Sequence, residues 1–261
     1  MSGAAPGEVA SGVYVATAKL YTTTTTIVRG ESDGGCLLVD PAVTVADLAA
    51  LADWLAARGL HPVAGWSTHP HWDHLLWSPA LGTAPRYATP RAVAIAAREE
   101  AGLLSEVADS APGHDLSLFA RVQPLLGHEI DWPGPRALVY EHDAHAPGHG
   151  ALFLPDLGVL IAGDMLSDVE VPLPDLDAPD PFTTYQEALS LLASIPGVRT
   201  VIPGHGHVAD PAEFHRRVAA DLSYLDKLAA GTDVADERLT EDWLRTEHNR
   251  ALALARRGAG S

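Results

Sequence analysis

Six residues, His69-Pro70-His71-Trp72-Asp73-His74, constrain this chain more than any other stretch. They follow a strand-like run over residues 61–68, so four metal-binding side chains leave a strand end within one short loop. Alternate residues of an extended segment point the same way. His69 and His71 can therefore face one point while Asp73 and His74 turn towards a neighbouring one. Imidazole nitrogen and carboxylate oxygen suit zinc and also accommodate iron or manganese. One loop can thus serve two cations, but four side chains do not complete two coordination shells.

Further donors stand beside glycine at three strand ends: His149 in Pro147-Gly148-His149-Gly150, Asp164 in Ala162-Gly163-Asp164, and His205 in Pro203-Gly204-His205-Gly206. A neighbouring glycine removes Cβ bulk and lets the backbone bend at the site. The chain holds 13 histidines, an excess of the residue that most often binds metals. Of the others, His142, His145 and His207 read as surface residues or supports behind the ligands, and His61, His114, His128, His215 and His248 stand in no motif. Asp40, in Leu38-Val39-Asp40-Pro41, has two readings. It is a turn residue before proline, or a carboxylate that accepts a ligand histidine's other N–H and fixes its tautomer. Trp66, Trp72 and Trp77 surround the motif and read as core, with Trp72 best placed to line a pocket.

At 261 residues, 47% hydrophobic and 20% charged, the chain can bury one sizeable core. Its formal charge of −17, from 34 acidic against 17 basic groups, repels phosphate backbones and argues against nucleic-acid partners. The single Cys36 lies in the apolar run Gly35-Cys36-Leu37-Leu38-Val39 and reads as an inert buried thiol. No apolar run reaches the roughly 20 residues that span a bilayer. Residues 1–12 read as a short polar tail without a secretory signal, so the expectation is a cytoplasmic protein acting on a small molecule.

Strand patterns over residues 13–20, 22–28 and 36–39 precede a helix capped by Thr44, with Leu48, Leu51 and Leu55 on one face and Gly59 at its stop. A second helix is expected over 91–101, ending near Gly102. Over residues 103–134, Pro112, Gly113, Pro124 and Pro133 interrupt the periodicity, which reads as a lid or insertion. Strands resume at 137–141, 151–154 and 159–162, the last two joined through Pro155-Asp156-Leu157-Gly158. A helix over 184–194, a strand over 200–202 and C-terminal helices within 211–257 complete a single domain over 1–261. The apolar faces of those last helices would supply a homodimer contact.

Taken in order and spacing, His-x-His-x-Asp-His, Pro-Gly-His, Gly-Asp after an apolar strand, and Pro-Gly-His-Gly resemble the metallo-β-lactamase fold superfamily over about residues 12–210. The resemblance implies an α/β fold, a four-layer αββα sandwich of two mixed β-sheets with the site at one sheet edge. It also implies that His69, His71 and His149 hold a first metal, that Asp73, His74 and His205 hold a second, and that Asp164 bridges both. Two divalent ions, zinc first with iron or manganese as alternatives, would lower the pKa of a shared water and present hydroxide. Asp73 and Asp164 would balance charge and orient that nucleophile.

The expected reaction is hydrolysis of a small ester, thioester or lactone. The alternatives within this fold are a mononuclear iron sulfur-dioxygenase-like oxidoreductase, a phosphodiesterase or a β-lactamase. Departures from similar subfamilies narrow these. Flavin-linked diiron reductases usually carry Glu where His71 stands, and many true β-lactamases have Cys or Ser, or no bridging carboxylate, where Asp164 stands. Acyl-homoserine lactonases tend to place Tyr shortly after the bridging Asp, where this chain has Ser167 and Asp168. The ligand set is similar to that of glyoxalase II, yet Leu75 replaces a glycine common in that family and no basic residues for glutathione are apparent. Substrate contacts are expected in the irregular segments 103–134 and 166–181.

Overall fold

The computed structural model describes residues 5–31 and 33–258. Seven strands form one sheet in sequence order: β1 (Gly7–Ala10), β2 (Val13–Thr17), β3 (Thr24–Arg29), β4 (Gly35–Val39), β5 (His61–Trp66), β6 (Arg86–Ala88) and β7 (Gln123–Pro124). β1 to β4 pair antiparallel, and β4 to β7 pair parallel. Four strands form the second sheet: β8 (Leu138–His142), β9 (His149–Leu154), β10 (Val159–Gly163) and β11 (Thr200–Pro203), in the order β11-β10-β9-β8. Only the β10–β11 pair in it is parallel, so both sheets are mixed.

Side-chain alternation explains how the sheets stack. In β4, Leu37 and Val39 enter a central core while Cys36 and Leu38 enter an outer one. In β10, Val159 and Ile161 enter the same central core, and Leu160 and Ala162 enter a third core on the far side. Two sheets thus face each other, and each outer face is covered by helices: the expected αββα sandwich. Helices α1 (Val45–Ala56) and α2 (Pro90–Ser110) cover the first sheet; α3 (Pro181–Ala193), α4 (Pro211–Ala229) and α5 (Asp242–Gly258) cover the second. Trp66 ties the sheets together, its Nε1–H donating to Gly150 O at 3.0 Å. A Cβ on Gly150 would lie 2.7 Å from that indole, so the close approach requires glycine.

Helix starts follow local chemistry. Thr44 and Asp47 form a reciprocal capping box on α1. Thr89-Pro90, Asp180-Pro181 and Asp210-Pro211 each place a capping oxygen before a proline at the first helical position. Helix α2 outruns its expected end near Gly102 and continues to Ser110. A glycine inside a helix costs about 1 kcal/mol. Burying Leu103 and Val107 against the outer core contributes roughly 1.5–3 kcal/mol each and outweighs it. The segment expected as a lid is therefore partly helix, and its residues Leu125 and Ile130 are buried in the central core.

Two further expectations change, and one stands. Of the polar tail expected over residues 1–12, the first four lie outside the described residues, and residues 7–10 form an edge strand. The apolar faces of α4 and α5, expected to supply a dimer contact, are buried inside the chain through Phe214, Tyr224, Leu225, Leu244 and Leu252. Cys36 is fully buried as expected, and burial pushes its thiol up to about 12. Among the described residues no helix is long and apolar enough to cross a membrane.

Candidate metal centre

Five strands deliver the expected side chains to one edge of the sandwich. Asp40 follows β4, the histidine run follows β5, His149 opens β9, Asp164 follows β10, and His205 follows β11. Two clusters of donor atoms result: His69, His71, His145 and Asp164, and beside them Asp73, His74 and His205.

The first cluster is a convergence of lone pairs. His145 Nδ1–H donates to Leu173 O at 2.9 Å, which leaves its Nε2 free to face His71 Nδ1 at 3.1 Å. His69 Nδ1–H donates to Thr68 Oγ1 at 3.0 Å, leaving Nε2 3.1 Å from the same His71 atom. Asp164 Oδ2 stands 3.4 Å from both Nε2 atoms. The protons of His69 and His145 are committed elsewhere, so two lone pairs and a carboxylate oxygen converge beside His71 Nδ1, and this donor set fits a metal ion.

The second cluster is built alike. His74 Nδ1–H donates to Asp40 Oδ2 at 2.9 Å and turns Nε2 towards Asp73 Oδ2 (3.4 Å) and Asp164 Oδ1 (3.2 Å). His205 Nδ1–H donates to Tyr21 O at 2.9 Å, with Nε2 3.3 Å from Asp73 Oδ2 and 3.1 Å from Asp164 Oδ2. Asp164 therefore touches both clusters, and its buried Oδ1 lies 3.2 Å from His74 Nε2. Gly204 makes room for it: a Cβ there would lie 2.0 Å from Oδ1. Asp40 takes the supporting reading. It accepts from Thr68 N–H at 2.9 Å, from the Thr68 hydroxyl at 2.7 Å and from His74, so one carboxylate orients a histidine in each cluster.

Burial and neighbouring charges set the protonation. Burial, reinforced by His145, pushes His71 down to about 3, and burial likewise lowers His69, His145 and His149. These rings keep their lone pairs at neutral pH. Burial also opposes charge on His74 and His205, but Asp164 with Asp73 and Asp40 for His74, and Asp164 with Glu170 for His205, hold both well above the ordinary histidine range. Burial alone would raise Asp73 and Asp164; the facing His74 and His205 hold them well below the usual carboxylate range. Two carboxylates thus collect two extra protons on imidazole nitrogens, at the positions where cations would replace them.

His149, expected as a ligand, lies one layer behind the donor atoms. It is already paired within the sheet opposite His142, and its ring is stacked between His69 and His142 at 5.0 and 4.4 Å. Its Nε2 accepts the Asp164 N–H at 3.2 Å. His145, read from sequence as a surface or supporting residue, occupies the place in the cluster expected for His149. The signal was the apolar run reaching residue 154, which draws His149 into the ladder and leaves His145 in the loop before it. His207 is exposed and pairs with Asp168 at 3.0 Å. Trp66 and Trp77 are core, and Trp72 lines the open side of the site.

That open side is a cleft of 650 Å³. Leu103 and Glu106 of α2 form one wall and Leu173 to Asp177 another, within the segments expected to meet substrate. A third wall, Trp243, Glu247 and Arg250 from α5, carried no sequence signal because it lies far along the chain from every ligand. The loop from Leu166 to Glu170 is anchored by two buried arginines. Arg217 donates to Leu166 O and His207 O at 3.0 and 2.9 Å, and Arg238 to Ser167 O and Glu170 O at 3.3 and 3.1 Å.

Comparison with known proteins agrees with this architecture. The fold is shared with a beta-lactamase domain protein from Burkholderia ambifaria: TM-score 0.70, 20% identity, covering 95% of this chain and 86% of that one. A metallo-beta-lactamase family protein from Thermus thermophilus gives 0.69 and 23%, covering 97% and 95%. A protein solved in a di-iron-bound form gives 0.60 and 27%, covering 77% and 96%. No curated protein matches the sequence. The family description "Metallo-beta-lactamase superfamily" matches residues 19–205. With that match spanning both donor clusters, the chain belongs to the metallo-beta-lactamase superfamily.

Proposed function

We propose that this chain is a dinuclear metal-dependent hydrolase of a small ester, thioester or lactone. The observation that carries the reading is Asp164, whose two oxygens face donor atoms of both clusters. His69 Nε2, His71 Nδ1 and His145 Nε2 would hold one ion, Asp73, His74 Nε2 and His205 Nε2 the other, and Asp164 would bridge them. Bound there, the ions supply an activated water and positive charge against the substrate carbonyl oxygen. Asp40, Thr68 and the carbonyls of Leu173 and Tyr21 keep the imidazole nitrogens aimed, which removes the reorganisation that loose ligands would need. Attack by a water held between the ions would need no acyl-enzyme step.

Zinc remains the first assignment from the nitrogen-rich donor set. The di-iron form of the 27%-identical neighbour supports iron as the alternative. The mononuclear oxidoreductase reading would leave the second cluster without a purpose. A panel of lactone, thioester, phosphoester and β-lactam substrates, run before and after chelation, tests the reading. Turnover of an acyl substrate that chelation abolishes and either zinc or iron restores is expected. Turnover indifferent to chelation, or confined to phosphoesters, would contradict it.

A further inference from the structure

With Asp73 and Asp164 assigned to the cations, the cleft still carries six carboxylates: Glu99, Glu106, Glu170, Asp175, Asp177 and Glu247. Its one arginine, Arg250, is held by Glu247 at 2.9 and 3.0 Å. Glu170 is the informative member. Its side chain is 9% exposed, lines the cleft, and accepts no hydrogen bond from any described residue. The nearest cationic partner, His205 Nδ1, is 3.9 Å away and gives its proton to Tyr21 O. The backbone is fixed, since Glu170 N–H donates to Ser167 Oγ at 3.0 Å and its carbonyl accepts from Arg238. A carboxylate nine-tenths buried, open only to the cleft and without a protein donor, gains most from a ligand that brings one. Beside it, Tyr21 and Trp243 stand edge to face at 6.0 Å, each 38% exposed, and aromatic faces attract ammonium groups rather than anions.

We propose that the substrate carries a protonated amine close to its scissile acyl group, and that Glu170, backed by the acidic rim, receives it. This specificity deepens the hydrolase reading and rests on it. An anionic substrate such as a phosphodiester, a β-lactam carboxylate or a glutathione conjugate meets the acidic rim on its way in, whereas a cation is drawn in from solution.

The test uses metal-loaded protein and three methyl esters of equal length, those of β-alanine, butyrate and succinate, which end in ammonium, methyl and carboxylate. The expected order of kcat/KM is ammonium over methyl by about tenfold or more, with carboxylate last. Added salt should narrow the ratio. Glu170→Gln should narrow it too, whatever its effect on absolute rates, and Glu106→Gln on the exposed rim provides a second variant should the buried one fail to fold. Calorimetric binding of the matching hydroxamates reads the same charge order without turnover. Hydroxamate affinities in the expected order with no ester cleaved would sink the hydrolase reading and leave the charge preference standing. Ester hydrolysis or hydroxamate binding in which succinate equals or exceeds β-alanine would overturn the proposal.

Discussion

A single carboxylate, Asp40, reaches both halves of the site, holding His74 directly and His69 through the Thr68 hydroxyl. The sequence left it divided between turn residue and support because both roles place an aspartate at a strand end before proline. The histidine run was legible because all its donors leave one strand together. The choice between His145 and His149 was not, because two histidines flank the same Pro-Gly and only strand register separates them. Their roles make opposite predictions: His145→Ala should lose one metal ion per chain by elemental analysis, whereas His149→Asn should keep both. Equal metal content in the two variants would contradict the assignment. His142 predicts a pH effect. Burial lowers it from 6.5 to about 3, so the folded chain refuses a proton that the unfolded chain accepts. Its contribution to stability is complete above pH 6.5 and lost as pH falls towards 3. His142→Phe should therefore make stability, measured by urea unfolding, fall less steeply through that window, by up to about 1.4 kcal/mol per pH unit; an unchanged slope would contradict it.

At the scale of elements, capping pairs and strand alternation made most helices and strands readable. The misses share a physical cause: tertiary contacts outweighed local signals. β1 and β6 are short and gain their partners only in the sheet, and α2 runs through Gly102 because its next turns bury apolar surface. The arginine anchors of the loop after β10 were equally hidden. Arg238 pairs with buried Asp221 at 2.6 Å while holding the carbonyls of Ser167 and Glu170. Burial nonetheless raises Asp221 to about 6. Removing one partner strands the other, so Arg238→Met should cost about 3–5 kcal/mol of unfolding free energy. Adding Asp221→Leu should recover much of that loss. Denaturant unfolding of both variants checks this, and a double variant no more stable than the single would count against a simple ion-pair account. Because the loop carries Glu170, the single variant should also blunt discrimination between cationic and neutral esters.

Across the whole molecule, three cores stacked through two sheets bring strand ends from distant parts of the sequence to one edge, and that convergence makes the site. The layering followed from motif resemblance and alternation, whereas the α5 wall of the cleft depends on how the last helix packs, which no local pattern encodes. Part of the charge of −17 lines the cleft, and the proposed preference for a cationic substrate rests on that part. The proposed function rests on seven side chains that offer two candidate metal positions, with Asp164 facing both. The most direct measurement is transition-metal content per chain after reconstitution and removal of free metal, for the native protein and Asp164→Ala. The account predicts close to two ions in the native protein and no more than one in the variant. One ion or none in the native chain, or two in both proteins, would contradict it.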